Sequence, residues 1–293
     1  NKSKQGDYIR SVDRFFLTDA ELATLPKGSE VKVEATAHSF RISISVPDEK
    51  VCYVVDENGK FTREAFTQRV VKNWMWMRID KSQGADKLKA RFDLMKQCGI
   101  SGVLFEGYDE ETFRLCHEAG LEAHYWKWTM NRREVRETHP DWFAVNRKGE
   151  SCYDKPAYVD YYRFLCPNHE GVAEYLAADY VKIANLPYVD GVHLDYARFP
   201  DIVLPVSLWK NYGIDQTREL PEYDYCYCDV CRAKFKAQTG RDPMDLKIPQ
   251  EDQSWINFRL DGITRVINTI TKALKADGKT VSSAVFPGPS MAK

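Results

Sequence analysis

Three cysteines lie within six residues of the chain, at Cys226, Cys228 and Cys231. Three thiols at this spacing are too close together to form three separate disulfides. Their thiolates can converge on one tetrahedral ion, and zinc is an ion that such ligands favour, with one further ligand needed to complete its four. The alternative is a disulfide between two of them that leaves one thiol over. The spacing therefore predicts a structural metal site, with a single disulfide as the competing interpretation.

A carboxylate ends the apolar segment 191–195, which reads GVHLD. Side chains alternate along a strand, so His193 and Asp195 share one face while the two apolar residues between and before them take the other. At the carboxyl end of a barrel strand, Asp195 would lie where barrel enzymes place an acid, base or nucleophile. Tyr196 and Arg198 follow in the loop, and Arg198 could hold Asp195 ionised or bind substrate hydroxyls. The alternative is a structural Asp195–Arg198 pair that closes the mouth of the barrel.

The strand segment before it, 121–128, carries polar and aromatic residues on one face: Glu122, His124, Trp126 and Trp128. Aromatic and polar groups near the end of a strand suit a sugar subsite. A lone histidine such as His124 is more often satisfied within the core than used as a ligand.

Two further carboxylates, Glu106 and Asp80, end predicted strands at the same level. Cleavage of a glycosidic bond needs two carboxylates, separated by roughly 5–9 Å according to stereochemistry. Glu106 is therefore the predicted partner of Asp195, although the true partner could also lie on a strand beyond residue 293.

Repeated strand–helix units would position these residues. The predicted strands cover 74–79, 102–107, 121–128, 189–196 and 280–286, and the predicted helices cover 85–98, 111–119, 168–185 and 253–276. Such alternation indicates parallel strands covered by helices. A (β/α)₈ barrel is favoured over a doubly wound sheet because long insertions follow the third and fourth strands on one side. Only five units fit, so the chain is expected to end inside the barrel.

Residues 1–70 differ from this pattern and predict a small β-rich segment, followed by the barrel domain at 71–293. Apolar and polar residues alternate through 40–46, as they do in a half-buried strand. A second strand follows at 51–55, and Asn58-Gly59 supplies a turn. We expect little chemistry in this segment.

The composition narrows the class of function. Net charge is −1, which favours neither nucleic acid nor a membrane surface, and no apolar run of roughly 18 residues exists to span a bilayer. Aromatic residues reach 13%, and stacking platforms for sugar rings are one use of them, although any single one is as readily core. Cys98 and Cys116 fall on apolar helix faces and are expected to be buried. The absence of an initiator Met fits a chain trimmed after a signal and equally a trimmed cytosolic chain; we expect an extracytoplasmic location.

Three segments, in order, carry a family resemblance: HPDWFAVNRKG at 139–149, LCPNH at 165–169 and VDGVHLDYARFP at 189–200. Together they resemble glycosyl-hydrolase-like family 10, bacterial barrel proteins, over roughly residues 70–290. The stretch VFPGPSM at 285–291 also resembles an internal part of these barrels. The resemblance implies a barrel fold and activity on carbohydrate.

The cysteines resemble a second family. Family 42 β-galactosidases have a "CP" and then a C-x-C-x-x-C pattern after their fourth strand, and their four cysteines bind a structural zinc. Carried over, the ligands here are Cys166, Cys226, Cys228 and Cys231, while Cys152 has no counterpart. That family has an Asn-Glu pair at strand four where this chain has Leu194-Asp195, so its acid/base role and its β-galactosidase activity are not implied. The ion would join the insertion after strand four to the loop after strand three.

These observations predict a glycoside hydrolase that acts on an extracellular poly- or oligosaccharide, with a structural zinc and no organic cofactor. Asp195 would be its nucleophile or acid/base group, with the other named side chains shaping the subsite. The rival is a non-catalytic carbohydrate-binding barrel. A metal-dependent polysaccharide deacetylase would need His and Asp ligands clustered at the mouth, and the 6 His are too dispersed to favour it.

Overall fold

The computed structural model describes residues 72–285 in full and, before them, the backbone of four strands. The turn predicted at Asn58–Gly59 and most of the segment 285–291 lie outside the described residues. The chain divides into two compact units, Asn1–Val71 and Lys72–Lys293.

The first unit contains an antiparallel sheet in the order β1-β2-β3-β4, formed by β1 (Glu30–Ala35), β2 (Ser39–Ser45), β3 (Lys50–Asp56) and β4 (Phe61–Ala65). Both strands predicted in this region are among the four. The alternation of β-branched and aromatic residues with polar ones is the pattern that such strands favour.

The second unit is an α/β unit built on a five-stranded parallel sheet. Its strands are β5 (Trp74–Arg78), β6 (Gly102–Glu106), β7 (Glu122–Trp128), β8 (Gly191–Asp195) and β9 (Thr280–Ser283). They lie in chain order, without the reversal that marks a doubly wound sheet. Within residues 72–285 the sheet has two edges, β5 and β9, so the closed eight-stranded barrel stays a prediction.

Six helices accompany these strands in the described part of the chain: α1 (Ala85–Gln97), α2 (Glu110–Glu118), α3 (Val172–Ala184), α4 (Val206–Tyr212), α5 (Asp229–Thr239) and α6 (Gln253–Ala276). Side-chain caps fix two of their starts. Asp109 accepts a hydrogen bond from the Thr112 amide ahead of α2, and Asp252 accepts one from the Trp255 amide ahead of α6, each at 3.0 Å.

One predicted helix boundary was wrong. The helix expected from residue 168 begins at Val172, because Gly171 before it has φ +83°, outside the helical range. A Cβ at Gly171 would also lie 3.2 Å from the Trp142 ring. The residues ahead of this glycine form a turn that leads out of the cysteine cluster described below.

Side chains alternate across the sheet as the sequence predicts. Val192 and Leu194 of β8 are fully buried in a core shared with α3 and α6. A second core packs α1 and α2 against β5, β6 and β7. His193 and Asp195 are left on the opposite face of β8, together with the alternate residues of the neighbouring strands.

Gly191 is required by the close approach of β9 to β8. A Cβ at this position would overlap the Thr280 carbonyl oxygen and lie 2.7 Å from His124 Nδ1. We therefore expect Gly191→Ala to lower the free energy of unfolding by about 2–3 kcal/mol, measured by urea denaturation. Gly84→Ala is the control, since a Cβ there has nothing within 4 Å, and it should cost less than about 1 kcal/mol. Equal midpoints for the two variants would contradict this account of the strand contact.

Candidate functional site

The strand register sets the level of each site residue on the open face of the sheet. Trp128 is paired with Asp195 at the carboxyl end of β7 and β8. One inward-facing step lower, Trp126 is paired with His193 and also with Glu106. These five residues therefore lie towards the carboxyl end of the sheet, where active sites of parallel α/β proteins form.

Asp195 is held by two hydrogen bonds to its carboxylate. The Trp126 indole N–H donates to Oδ2 at 3.0 Å, and the Tyr196 amide donates to Oδ1 at 2.7 Å. Both oxygens are acceptors, which is how an ionised carboxylate is bound. The side chain is half-buried, and Tyr196 after it has φ +47°, a conformation uncommon outside glycine. Asp195 is thus a fixed, partly accessible carboxylate.

His193 lies below Asp195 on the same face and is only 5% exposed. Its Nδ1 shares a hydrogen bond of 2.8 Å with Ser282 Oγ, and the Trp76 ring meets it edge-on with ring centroids 5.4 Å apart. Burial lowers the pKa of His193 from 6.5 to about 4, against the opposing charge of Asp195. This histidine is therefore neutral at pH 7.

The lowered pKa of His193 makes stability depend on pH. The unfolded chain takes up this proton near pH 6.5, whereas the folded chain does so only near pH 4. The stability that neutral His193 contributes is therefore complete above pH 6.5 and is lost as the pH falls towards 4. We expect His193→Asn, whose amide can keep the Ser282 contact, to show a smaller loss of unfolding free energy than wild type between pH 7 and pH 4.5. Parallel pH profiles for the two proteins would contradict this assignment.

The structure places His124 in the core rather than at the mouth. It is fully buried, its Nε2 lies 3.1 Å from Glu122, and its ring packs 4.6 Å from that of Trp74. Burial lowers its pKa. His124 is paired with Gly191, two inward-facing steps below Asp195, so its placement favours the core interpretation over substrate contact.

Arg198 forms an ion pair with Asp201, at 3.1 Å, and its guanidinium lies 4.9 Å from the Tyr196 ring. This ion pair lies within the loop after β8 and joins residues three positions apart. Asp201 also accepts two hydrogen bonds from tyrosine hydroxyl groups. Tyr158 donates to its backbone carbonyl oxygen, and Tyr162 donates to its carboxylate. Asp201 thereby ties the loop after β7 to the insertion after β8.

The two other candidate carboxylates have partners of their own. Glu106 is paired with Arg78 at 2.8 Å, and both side chains are exposed. Asp80 accepts from Ser82 and Gln83, and the Ser82 hydroxyl is the main reason that its pKa is lowered. Neighbouring strands are about 4.8 Å apart, and Glu106 is level with His193, two residues before Asp195. The Cα atoms of Glu106 and Asp195 are therefore about 12 Å apart.

Aromatic rings line the mouth beside Asp195. Trp128 is half-buried, with ring centroids 5.1 Å from Tyr196 and 5.6 Å from Tyr161. Tyr161 is 44% exposed. The sequence analysis did not identify Tyr161 or Asp201, because both lie in irregular segments. For Tyr161, the run Asp160-Tyr-Tyr162 was a signal that could have found it.

The four predicted cysteines come together. The sulfurs of Cys166, Cys226, Cys228 and Cys231 all lie within 4.8 Å of one another. Cys166 Sγ is 3.4 Å from that of Cys231 and 3.6 Å from that of Cys228. Four sulfurs around a zinc ion at 2.3 Å would be about 3.8 Å apart, so the cluster is close enough to hold a metal ion.

Hydrogen bonds to the sulfurs fit a thiolate site. The Val145 amide donates to Cys226 Sγ at 3.3 Å, and the Asn168 side-chain amide lies 3.4 Å from Cys231 Sγ. Burial raises the pKa of the Cys226 thiol, and a bound cation would reverse this by favouring the thiolate. The cluster joins the loop after β7, which holds Cys166, to the insertion after β8, as predicted.

The remaining described cysteines lie outside this cluster. Cys116 is fully buried as predicted, and burial raises its pKa to about 12. Cys98 is exposed, which corrects the expectation of a buried residue, because it follows the last turn of α1 rather than facing its core. Cys152 is buried beside Tyr225, and its pKa is raised to about 11, mainly by burial.

Two further observations concern metal binding at the mouth and membrane-spanning helices. Among the described residues, the four cysteines form the group close enough to share an ion, whereas the mouth has no such His and Asp cluster for a deacetylase metal. No helix within residues 72–285 has both the length and the apolar content needed to cross a membrane.

No family model matches the sequence, and no curated protein matches it. Among solved structures, a β-galactosidase from the psychrophilic Marinomonas ef1 is similar with a TM-score of 0.47 and 12% identity, over 73% of this chain and 37% of that one. A β-galactosidase from the Antarctic haloarchaeon Halorubrum lacusprofundi is similar with a TM-score of 0.49 and 14% identity, over 73% of this chain and 36% of that one. The PgaB (BpsB) glycoside hydrolase domain from Bordetella bronchiseptica gives 0.42 and 14%, over 73% and 65%.

This chain spans little more than a third of the two β-galactosidases. The three similar structures are glycoside hydrolases, at TM-scores below 0.5 and identities of at most 14%. Neither glycosyl-hydrolase-like family 10 nor family 42 is confirmed by them.

Proposed function

We propose that this protein is a glycoside hydrolase that cleaves a poly- or oligosaccharide, with Asp195 as its reacting carboxylate. The observation that carries the proposal is the binding of Asp195 by Trp126 and Tyr196 at the carboxyl end of β8. A half-buried carboxylate with both oxygens accepting is suited to stabilise or attack an oxocarbenium-like centre. It is poorly suited to donate a proton, so we assign Asp195 as nucleophile or general base.

Glu106 is our candidate for the general acid. Its distance from Asp195 across the sheet suits an inverting pair, in which a water lies between the carboxyl groups, better than a retaining pair. Arg78 donates a hydrogen bond to the Glu106 carboxylate and occupies the group that would act as the acid. Substrate must therefore displace Arg78, or another carboxylate must take this role.

The four-cysteine cluster would hold zinc in a structural role. Thiolate ligands favour zinc, and four of them leave no position open for a reacting water. The ion would fix the walls of the mouth rather than take part in cleavage. The remaining site residues, Trp126, Trp128, Tyr196 and His193, would shape the subsite around the sugar bound at Asp195.

A non-catalytic carbohydrate-binding protein is the second candidate. The ion pair between Arg78 and Glu106 favours this second function. If Arg78 keeps Glu106 from reacting, Asp195 is the one reacting carboxylate left, whereas hydrolysis needs two. The aromatic mouth would then bind sugar without cleaving it. For either function we propose a location outside the cytoplasm, where a protein can reach extracellular polysaccharides.

Release of reducing sugar from a panel of polysaccharides tests the proposal. We expect the full-length protein to release reducing ends from at least one polymer, and proton NMR of the first anomer formed will distinguish inversion from retention. Binding to a polymer without any release of reducing ends would instead support the second candidate. An inverted product supports the Asp195–Glu106 separation, and a retained one shows that another carboxylate is the partner.

A further inference from the structure

We infer that Trp128 and Tyr161 form a second sugar subsite, which binds the ring next to the one held at Asp195. These two residues are called the aromatic shelf. The inference rests on the proposed function and adds to it that the substrate is an oligomer of at least two pyranose units, bound at adjacent positions.

The shelf is continuous with the Asp195 site. Trp128 is the register partner of Asp195, so the two side chains leave neighbouring strands side by side on the same face. The Tyr161 ring follows at 5.6 Å from that of Trp128, tilted from it by 30°. Tyr161 is 44% exposed, whereas most aromatic residues of this loop are at least partly buried. The two rings therefore lead from Asp195 towards solvent.

The backbone that presents Tyr161 is held on both sides. Arg163, which is 4% exposed, donates to the carbonyl oxygens of Cys152 and Tyr153 and to the carboxylate of Asp160. Its amide donates to the Asn131 side chain at 2.8 Å. Tyr162 contacts the Tyr161 ring edge-on, with centroids 5.2 Å apart. An exposed ring on a fixed loop loses little conformational freedom when a ligand covers it, which favours binding.

The chemistry of the shelf selects a pyranose ring as its occupant. The axial C–H groups of a pyranose form an apolar face that covers an aromatic ring, while its equatorial hydroxyls stay in water or reach polar groups at the rim. Asp160, beside Tyr161 and 70% exposed in its side chain, is such a polar group. Because Asp160 is also paired with Arg163 and Arg133, the shelf selects for the pyranose ring rather than for the charge of the saccharide.

The test measures binding separately from cleavage. Asp195→Asn protein, full length, is titrated by calorimetry with cello-, xylo-, chito-, galacto- and malto-oligosaccharides of increasing length. For the series that binds, adding Tyr161→Ala should weaken affinity for the longer members by about tenfold and leave that for the shortest bound member unchanged. Tyr161→Phe, which keeps the ring, should bind like the parent.

Tyr188→Ala is the matched control. Tyr188 is 42% exposed but lies before β8, at the opposite end of the sheet, near His117. Its removal should change no affinity. An equal loss at every length with Tyr161→Ala, or no loss at any length, overturns the second subsite.

The outcomes separate this inference from the proposed function. Length-dependent binding that needs Tyr161, in a protein whose wild type releases no reducing ends, supports the shelf and overturns hydrolysis. Cleavage with no length dependence on Tyr161 supports hydrolysis and overturns the shelf. No binding of any saccharide, together with no release of reducing ends by wild type, overturns both.

Discussion

Asp195→Asn should lower kcat on the cleaved polysaccharide by at least about 10³-fold while changing KM by less than about threefold. The amide is nearly the same size, and its carbonyl oxygen can keep one of the two hydrogen bonds, that from the Trp126 indole, while the one from the Tyr196 amide is lost. The fold and the bound sugar should therefore be kept. The amide cannot attack a sugar carbon, activate water as a base or stabilise positive charge. The loss should therefore fall on the chemical step. Initial rates across substrate concentrations measure both constants.

Asp190→Asn is the matched control for this variant. Asp190 immediately precedes β8, at the other end from Asp195, where its carboxylate accepts from the Ala123 amide at 2.8 Å. An asparagine carbonyl can replace that acceptor, so activity should remain within about threefold of wild type. Full activity in Asp195→Asn would show that this carboxylate is structural. A rise in KM alone would show that it only binds substrate.

The predictable part of this protein is the part with a repeating pattern. Strand and helix positions followed from period-two and helical spacing, and so did the face of each residue, because burial on one side is imposed by covering helices. Asp195 and the cysteines were found because their positions are tied to such elements or to a ligand spacing. Cys166 required the family resemblance, since its distance of 60 residues from Cys226 is not a local signal.

The unpredictable part lies in the loop after β7 and the insertion after β8. Arg198 pairs with Asp201 within its own loop, after the chain turns sharply at Tyr196. The donor to Asp195 proved to be Trp126 on the neighbouring strand, and that contact depends on register between residues 69 apart. Irregular backbone has no period, so the neighbours of Tyr161 could not be read from its sequence position.

Cys166→Ser should abolish metal binding and lower the unfolding temperature by about 10 °C or more. Cys166 is the only member of the cluster on the loop after β7, so its removal leaves three thiolates on the insertion and breaks the link between the two segments. Metal binding stabilises the folded state, so loss of one ligand should lower the free energy of unfolding by several kcal/mol. Each kcal/mol lowers the unfolding temperature by about 2–4 °C in a unit of this size. Elemental analysis and thermal unfolding, with and without a chelator, measure both effects.

Two controls separate the ion from ordinary packing. Cys152→Ser changes a fully buried thiol in the same core but outside the cluster, and Cys98→Ser changes an exposed one. Both should keep the metal, and chelator should lower their unfolding temperatures as it lowers that of wild type. Equal destabilisation by Cys166→Ser and Cys152→Ser, with no response to chelator in wild type, would show that the four thiols pack without an ion.

The order of unfolding provides the strictest check on the role of the ion. Removing the metal loosens the cysteine cluster, which joins the loop after β7 to the insertion after β8. The hydrogen bonds to Asp201, and those that link Arg147 to Asp224 and Tyr227 to Val145, remain. Protease should then cut within 198–224 before it cuts the sheet, and sugar binding at the mouth should weaken in the same samples. Cleavage of the sheet at the same rate as the insertion would mean that the metal stabilises the whole unit rather than the mouth.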